Sequence, residues 1–168
     1  LGVLKVSAVS WTSFQPEEAK ALKDDYQPEA HHRVSAGDFL ISRANTLELV
    51  GAVVLVDQDH PFRLLSDKTL RLVIDEQKAS KAYLLYALRS PMARKHIEHF
   101  ATGSSDSMRN IAQGVITSIP VVLPEIHEQI RIATQLKKQL AEIDDMAEAN
   151  QITLNELVCL PQHLLAQA

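Results

Sequence analysis

Between Pro124 and Pro161 the chain contains neither glycine nor proline. A stretch that long, rich in Leu, Gln, Lys, Ala and Glu, has helix as its default state. Pro124 suits a first helical position, where a missing N–H costs nothing. Glu125 and Glu128 bring negative charge to the positive end of the helix dipole. Leu136, Leu140, Ile143, Ala147, Asn150, Leu154 and Leu157 follow at alternating steps of four and three. That spacing draws one narrow apolar seam, the pattern of a coiled coil and not of a broad core-facing surface. At 1.5 Å per residue the rod is roughly 55 Å long. A small domain cannot cover it, so the rod packs on a partner helix or holds two things apart. Asn150 in the seam reads either as a register-fixing polar residue or as a break, with the helix restarting at Thr153.

The remaining sequence fits one globular domain, so the organisation expected is a domain over 1–122 and a helical region over 123–168. Residues 1–122 hold 14 Lys/Arg and 14 Asp/Glu; residues 123–168 hold 3 and 7, which supplies the whole net charge of −4. The acidic excess therefore belongs to the rod, and the domain is free to carry a basic face. The one cysteine, Cys159, permits no internal disulfide. The seven histidines offer no metal-site spacing, the adjacent His31 and His32 lack a third ligand, and no cofactor or metal is expected. No apolar run approaches a membrane span, which makes a cytoplasmic location the default. Leu1 stands where an initiator Met would, which suggests a fragment.

In chain order, Val3–Val9 reads as a strand and Trp11–Phe14 as a loop whose aromatics can pack on bases or sugars, although a lone Trp and Phe near a strand more often belong to the core. Pro16–Leu22 reads as a short helix with Glu17 and Glu18 in its first turn. Asp24–His32 is polar loop. Phe39–Arg43 is a short buried strand, and Gly51–Val56, apolar throughout, belongs inside a sheet. Arg63–Leu65 and Leu70–Ile74 are strands around a polar tip at Ser66-Asp67-Lys68. Ser80–Ser90 and Pro91–Phe100 are helices, Thr102–Ser107 is a polar loop, and Ile111–Ile116 is a helical turn or a strand. Ile119–Pro124 is extended, because each proline disfavours helical geometry in the residue before it.

The order of short motifs resembles a known family. Gly37-Asp38-Phe39-Leu40-Ile41-Ser42-Arg43 is followed by Glu48-Leu49-Val50-Gly51-Ala52 and Ser66-Asp67-Lys68-Thr69-Leu70-Arg71-Leu72. After the helices come Gly103-Ser104-Ser105, Asn110-Ile111, Ile119-Pro120-Val121-Val122-Leu123-Pro124 and Glu128-Gln129. Together they resemble a target recognition domain of the DNA specificity subunit of type I restriction–modification systems, followed by that subunit's conserved helical region. The resemblance implies an α+β fold: a mixed sheet with flanking helices, then a long protruding helix in an antiparallel coiled coil. It implies that the domain reads one half of a split target in double-stranded DNA. The helix would pair with that of a second half-subunit, or of a second copy in a homodimer, and fix the spacing. The helical region would help dock the modification (methyltransferase) subunit, and the restriction subunit would be reached indirectly. The chain itself would be non-catalytic, within an adenine methyltransferase and restriction complex. The family carries two such halves, so the chain is a fragment, a shortened form or a half-size subunit that dimerises.

Candidate DNA contacts follow from residue chemistry. Arg43, beside Ser42 at a strand end, can fork onto guanine or clamp a phosphate; the competing role is an ion pair with Glu48. Lys68 and Thr69 on the polar tip suit phosphate, although an ordinary turn explains them as well. Ser104, Ser105, Arg109 and Asn110 combine hydroxyls, a cation and an amide that matches the adenine edge; the competing role is a simple connector. No nucleophile–base pair can be assembled, and no G-K-[ST] sequence marks a P-loop. Two other functions stay open. One is a protein–protein adaptor built on the coiled coil. The other is the recognition domain of a single-chain DNA methyltransferase, whose catalytic domain would precede Leu1.

Overall fold

A computed structural model describes residues 1–165 except Asp24, without side-chain detail at Leu157 and 159–165. It divides into two compact units, Leu1–Gln129 and the helix from Ile130 onward. In chain order the strands and helices are β1 (Gly2–Leu4), β2 (Ala19–Ala21), β3 (Arg33–Val34), β4 (Phe39–Ser42), β5 (Ala44–Asn45), β6 (Val53–Leu55), β7 (His60–Leu64), β8 (Thr69–Arg71), α1 (Lys81–Ala87), α2 (Pro91–Phe100), β9 (Thr102–Ser105), β10 (Met108–Asn110), α3 (Gln113–Thr117) and α4 (Ile126–Leu165). Short 3-10 turns occupy Val6–Ala8 and Ala30–His32.

The first unit is organised on β4, whose residues Phe39, Leu40 and Ile41 are wholly buried. Successive side chains of a strand point to opposite faces. Phe39 and Ile41 join Leu84, Leu88, Ala93, Ile97 and Ile116 from the helices. Leu40 joins Leu4, Val34 and Val54 on the other side. The sheet β6-β4-β8 is thus a middle layer, with helices on one face and the sheet β2-β1-β7-β3 on the other. A third sheet, β5-β10-β9, continues from the end of β4. The apolar stretch around Val53 forms the edge strand β6 and is not flanked on both sides; the layers bury it, and Arg89 donates to the Val53 carbonyl at 3.0 Å.

Helices α1 and α2 begin where a hydroxyl allows. Ser80 caps α1 by accepting from the Tyr83 N–H, and Ser90 caps α2 by accepting from Ala93, with Pro91 at the first helical position. Gly51 has φ +82° and lies under Ile97, where a Cβ would come within 2.6 Å of Cδ1.

Several expected elements are replaced. Pro16–Leu22 is not helical: after a turn, Ala19–Ala21 pairs antiparallel with Gly2–Leu4. The acidic pair that suggested a helix start instead places Glu18 to accept from Ser7 Oγ (2.6 Å) and Lys5 Nζ (3.4 Å). The strand from Val3 stops at Leu4 and becomes a 3-10 turn. β7 and β8 do not form a hairpin around Ser66–Lys68; they belong to different sheets. Thr102–Ser107 is a hairpin limb and turn and not an open loop, and 113–117 resolves as helix. The long helix starts at Ile126, two residues beyond Pro124, and runs unbroken through Asn150 and past Pro161 to Leu165.

Candidate nucleic-acid interface

Arg43 stands where two sheets meet. Its N–H donates to the Lys68 carbonyl at 2.9 Å, and its own carbonyl accepts from the Ile111 N–H at 2.9 Å. The next residues, Ala44 and Asn45, pair with Asn110 and Arg109. Three segments far apart in sequence, 42–45, 66–69 and 102–110, therefore adjoin through backbone bonds. The Arg43 side chain is half-exposed and makes no hydrogen bond or ion pair among the described residues. The alternative pairing with Glu48 is not made.

The other cations here are neutralised locally. Lys68 lies 3.2 Å from Asp67, with both side chains well exposed. Such a surface pair is worth little, so a phosphate can replace the carboxylate at small cost. Arg109 is held more firmly: it donates to Asp106 Oδ1 at 2.5 Å and to the Gly103 carbonyl at 3.4 Å, while its buried Nε has no partner among the described residues. Arg43 is left as the cation of this surface with its donors uncommitted.

Burial removes two residues from the candidate set. Ser42 is 0% exposed and its Oγ donates to the Ala44 carbonyl at 3.3 Å. Thr69 is 1% exposed, and its hydroxyl is buried without a partner among the described residues. The two face each other across β4 and β8, under the surface that Arg43 presents. Both were candidate contacts, but β4 and β8 pair at this point inside the layers and both side chains are covered. Ser104 and Ser105 are exposed, and Asn110 is half-exposed with its carbonyl accepting from Thr102 Oγ1.

The segment 46–50 supports this surface, which sequence reasoning missed. Its Leu47 N–H donates to the Asp106 carbonyl at 2.8 Å. Arg94 donates to the carbonyls of Val50 (2.6 Å) and Leu47, and its guanidinium lies 5.5 Å from the Trp11 ring centroid. Trp11 Nε1 donates to the Glu48 carbonyl at 2.8 Å. Trp11 is accordingly a packing residue half-buried between the layers. Its sequence signal, a lone Trp near a strand, pointed that way; nothing local to Arg94 announced its role.

No family model matches the chain. The type I restriction enzyme EcoEI specificity subunit of Escherichia coli is 28% identical over 136 residues, 81% of this chain and 23% of that protein. A protein named as the type I restriction enzyme MjaX specificity subunit, from Methanocaldococcus jannaschii, is 29% identical over 117 residues, 70% of this chain and 26% of that protein. The chain is similar to type I specificity subunits. It spans about a quarter of the length of these curated relatives. The fold agrees. A chain from a structure on complex assembly and conformational transition of the type I R-M system matches 99% of this chain with a TM-score of 0.70 at 15% identity, over 42% of its own length. The S subunit of a type I restriction-modification system from M. genitalium matches 86% with a TM-score of 0.53 at 15% identity, over 36% of its own length. Both share the mixed α+β fold with its long C-terminal helix.

Within the motif set that resembles the specificity subunits, Gln129 has a clear physical task. It is 0% exposed; its Oε1 accepts from the Ser80 N–H at 2.9 Å and its Nε2 donates to the carbonyls of Lys78 (3.0 Å) and Pro124 (2.8 Å). The first turn of α4 is thereby tied to the approach to α1. Further along α4, Leu140, Ile143, Ala147, Asn150 and Leu154 are exposed and Leu136 is half-buried. Leu157 lies outside the described side chains. No described helix is long and apolar enough to cross a membrane.

Proposed function

We propose that the chain recognises one half of a bipartite DNA target as part of a type I restriction–modification specificity subunit. The single observation that carries this reading is the meeting of 42–45, 66–69 and 102–110 at Arg43, in a chain similar to specificity subunits. Arg43, Lys68, Ser104, Ser105, Arg109 and Asn110 form the surface that faces the duplex or shapes it. Residues 1–122 act as the reading domain, and 123–168 as the spacer. Leu136, Leu140, Ile143, Ala147, Asn150, Leu154 and Leu157 form the seam of an antiparallel coiled coil with a second half or a second copy. The modification subunit docks on this assembly, the restriction subunit joins it indirectly, and methyl transfer to adenine belongs to the partner. The setting is the bacterial or archaeal cytoplasm.

The division of labour follows from size. A single half-site gives few base contacts, each worth about 1–3 kcal/mol. Linking two readers makes the second contact intramolecular, which multiplies affinity without new contacts. The test is selection from a randomised duplex pool by the chain assembled with a modification subunit. A short sequence enriched twice at one fixed separation is the expected outcome. Recovery of an unenriched pool rejects the reading. Salt-insensitive binding, retained when Arg43 and Lys68 are both replaced by Gln, would favour the adaptor function.

A further inference from the structure

We propose that the β9–β10 hairpin is the element that enters the major groove, and that Arg109 is a positioning residue within it and not a DNA contact. The inference rests on the DNA-reading function above. The major groove admits a two-stranded ribbon. In the sheet order β5-β10-β9, β9 is the outer strand, and every one of its residues is exposed. On β9, Thr102, Gly103, Ser104 and Ser105 carry only small side chains, so the backbone of that limb can approach base edges closely, beside the exposed Met108 of β10 and Asp106 of the turn. A hydroxyl both donates and accepts, so a row of them can match the mixed donors and acceptors on the groove floor.

Exposed ribbons of small residues are usually loose, and this one is braced. A Cβ at Gly103 would overlap the Met108 carbonyl, so the two strands approach there as only glycine permits. Arg109 bridges the turn by holding Asp106 and the Gly103 carbonyl together. The Asp106 carbonyl is anchored on Leu47, whose segment Arg94 and Trp11 hold in turn. A braced ribbon loses little freedom on binding, which is what discrimination between similar sites requires. Arg109 is poorly placed to meet phosphate. Its side chain is 26% exposed, two of its nitrogens are occupied and the third is buried.

The two roles for Arg109 predict opposite results at Asp106. As a DNA contact, Arg109 would be freed by Asp106→Ala, which also deletes a negative charge, and binding to every duplex would tighten. As a brace, it would lose its anchor, and sequence preference would fall. The experiment uses the chain assembled with a modification subunit, a duplex selected from the randomised pool and a scrambled duplex of equal length. Asp106→Ala should reduce the affinity ratio between them about tenfold, with Asp106→Asn restoring part of it through its neutral acceptor. Ser104→Ala with Ser105→Ala should reduce the ratio similarly, chiefly through lost affinity for the selected duplex. Replacing the purines of the selected duplex by 7-deazapurines, which lack the major-groove N7 acceptor, should weaken wild-type binding. Uniform tightening by Asp106→Ala, or a ratio unmoved by the serine and 7-deaza changes, overturns the inference while leaving the DNA-reading function standing. A wild-type assembly that prefers neither duplex removes both.

Discussion

In the unit Leu1–Gln129, Phe39, Leu40 and Ile41 are fully buried on the two faces of one strand. Along the helix from Ile130, Leu140, Ile143, Met146, Ile152 and Leu154 each leave between 44% and 66% of their surface exposed. The first region buries a core between its own layers, although Phe62, Val73 and Val122 stay exposed on its surface. The second carries apolar side chains that stay exposed along its described length. An isolated helix gains little from propensity and needs a packed face. The contrast separates a region with a core of its own from one whose apolar side chains lie exposed along a helix; under the proposed function the second is the part that assembles.

The largest effect is expected where the first region is most self-sufficient. Phe39→Ala should destabilise it by about 3–5 kcal/mol, through lost burial and the cavity left behind. Urea unfolding monitored on that unit measures this, and a change under about 1 kcal/mol would break the contrast at its base. Next comes the tie at the start of α4. Gln129→Leu removes partners from the Ser80 N–H and from the Lys78 and Pro124 carbonyls. It should cost about 2–3 kcal/mol, as buried polar groups left unpaired do.

On the helix the contrast predicts the reverse. Leu140→Asp combined with Ile143→Asp should shift the unfolding of the first unit by no more than about 0.5 kcal/mol, as exposed positions do. The same variant should abolish self-association in sedimentation equilibrium. A large loss of stability without a change in association would show the seam to be internal packing.

The smallest effect belongs to Glu18, at the rim of the first unit. The Ser7 hydroxyl, and then Lys5, hold its carboxyl below the ordinary range. A depressed folded value means that the contribution is present above the unfolded pKa and lost as pH falls through the folded one. Glu18→Gln should therefore make the acid limb of the stability profile slightly shallower, and a steeper limb would contradict the assignment. Its partly exposed place on the rim keeps the effect small.

Legibility in the sequence followed the range of the physics. The helices at Ser80 and Ser90 were readable because a cap is a local device. The burial of 39–42 and the long helix were readable because periodicity is local too. The strand at Ala19–Ala21 was not, because its helix-like composition is overridden by pairing with Gly2–Leu4. The hairpin at Thr102–Asn110 was not, because hydroxyls and glycine give no alternating pattern. At the candidate interface, residue chemistry selected Arg43 and the serines, but it could not tell that Ser42 and Thr69 turn inward. It could not reveal either that Asp106 already holds Arg109, or that Arg94 braces the segment beneath. Each of these depends on a partner distant in sequence or on which face a strand presents.

Under the proposed function, one region chooses the sequence and the other chooses the distance. Inserting one further heptad between Leu140 and Leu154 preserves the seam and lengthens the helix by about 10 Å. The modified chain and the wild type, each assembled with a modification subunit, would be put through duplex selection side by side. The claim predicts the same enriched half-site in both, with the separation between its two copies increased by about three base pairs at 3.4 Å each. An unchanged separation, or a different half-site, would contradict it.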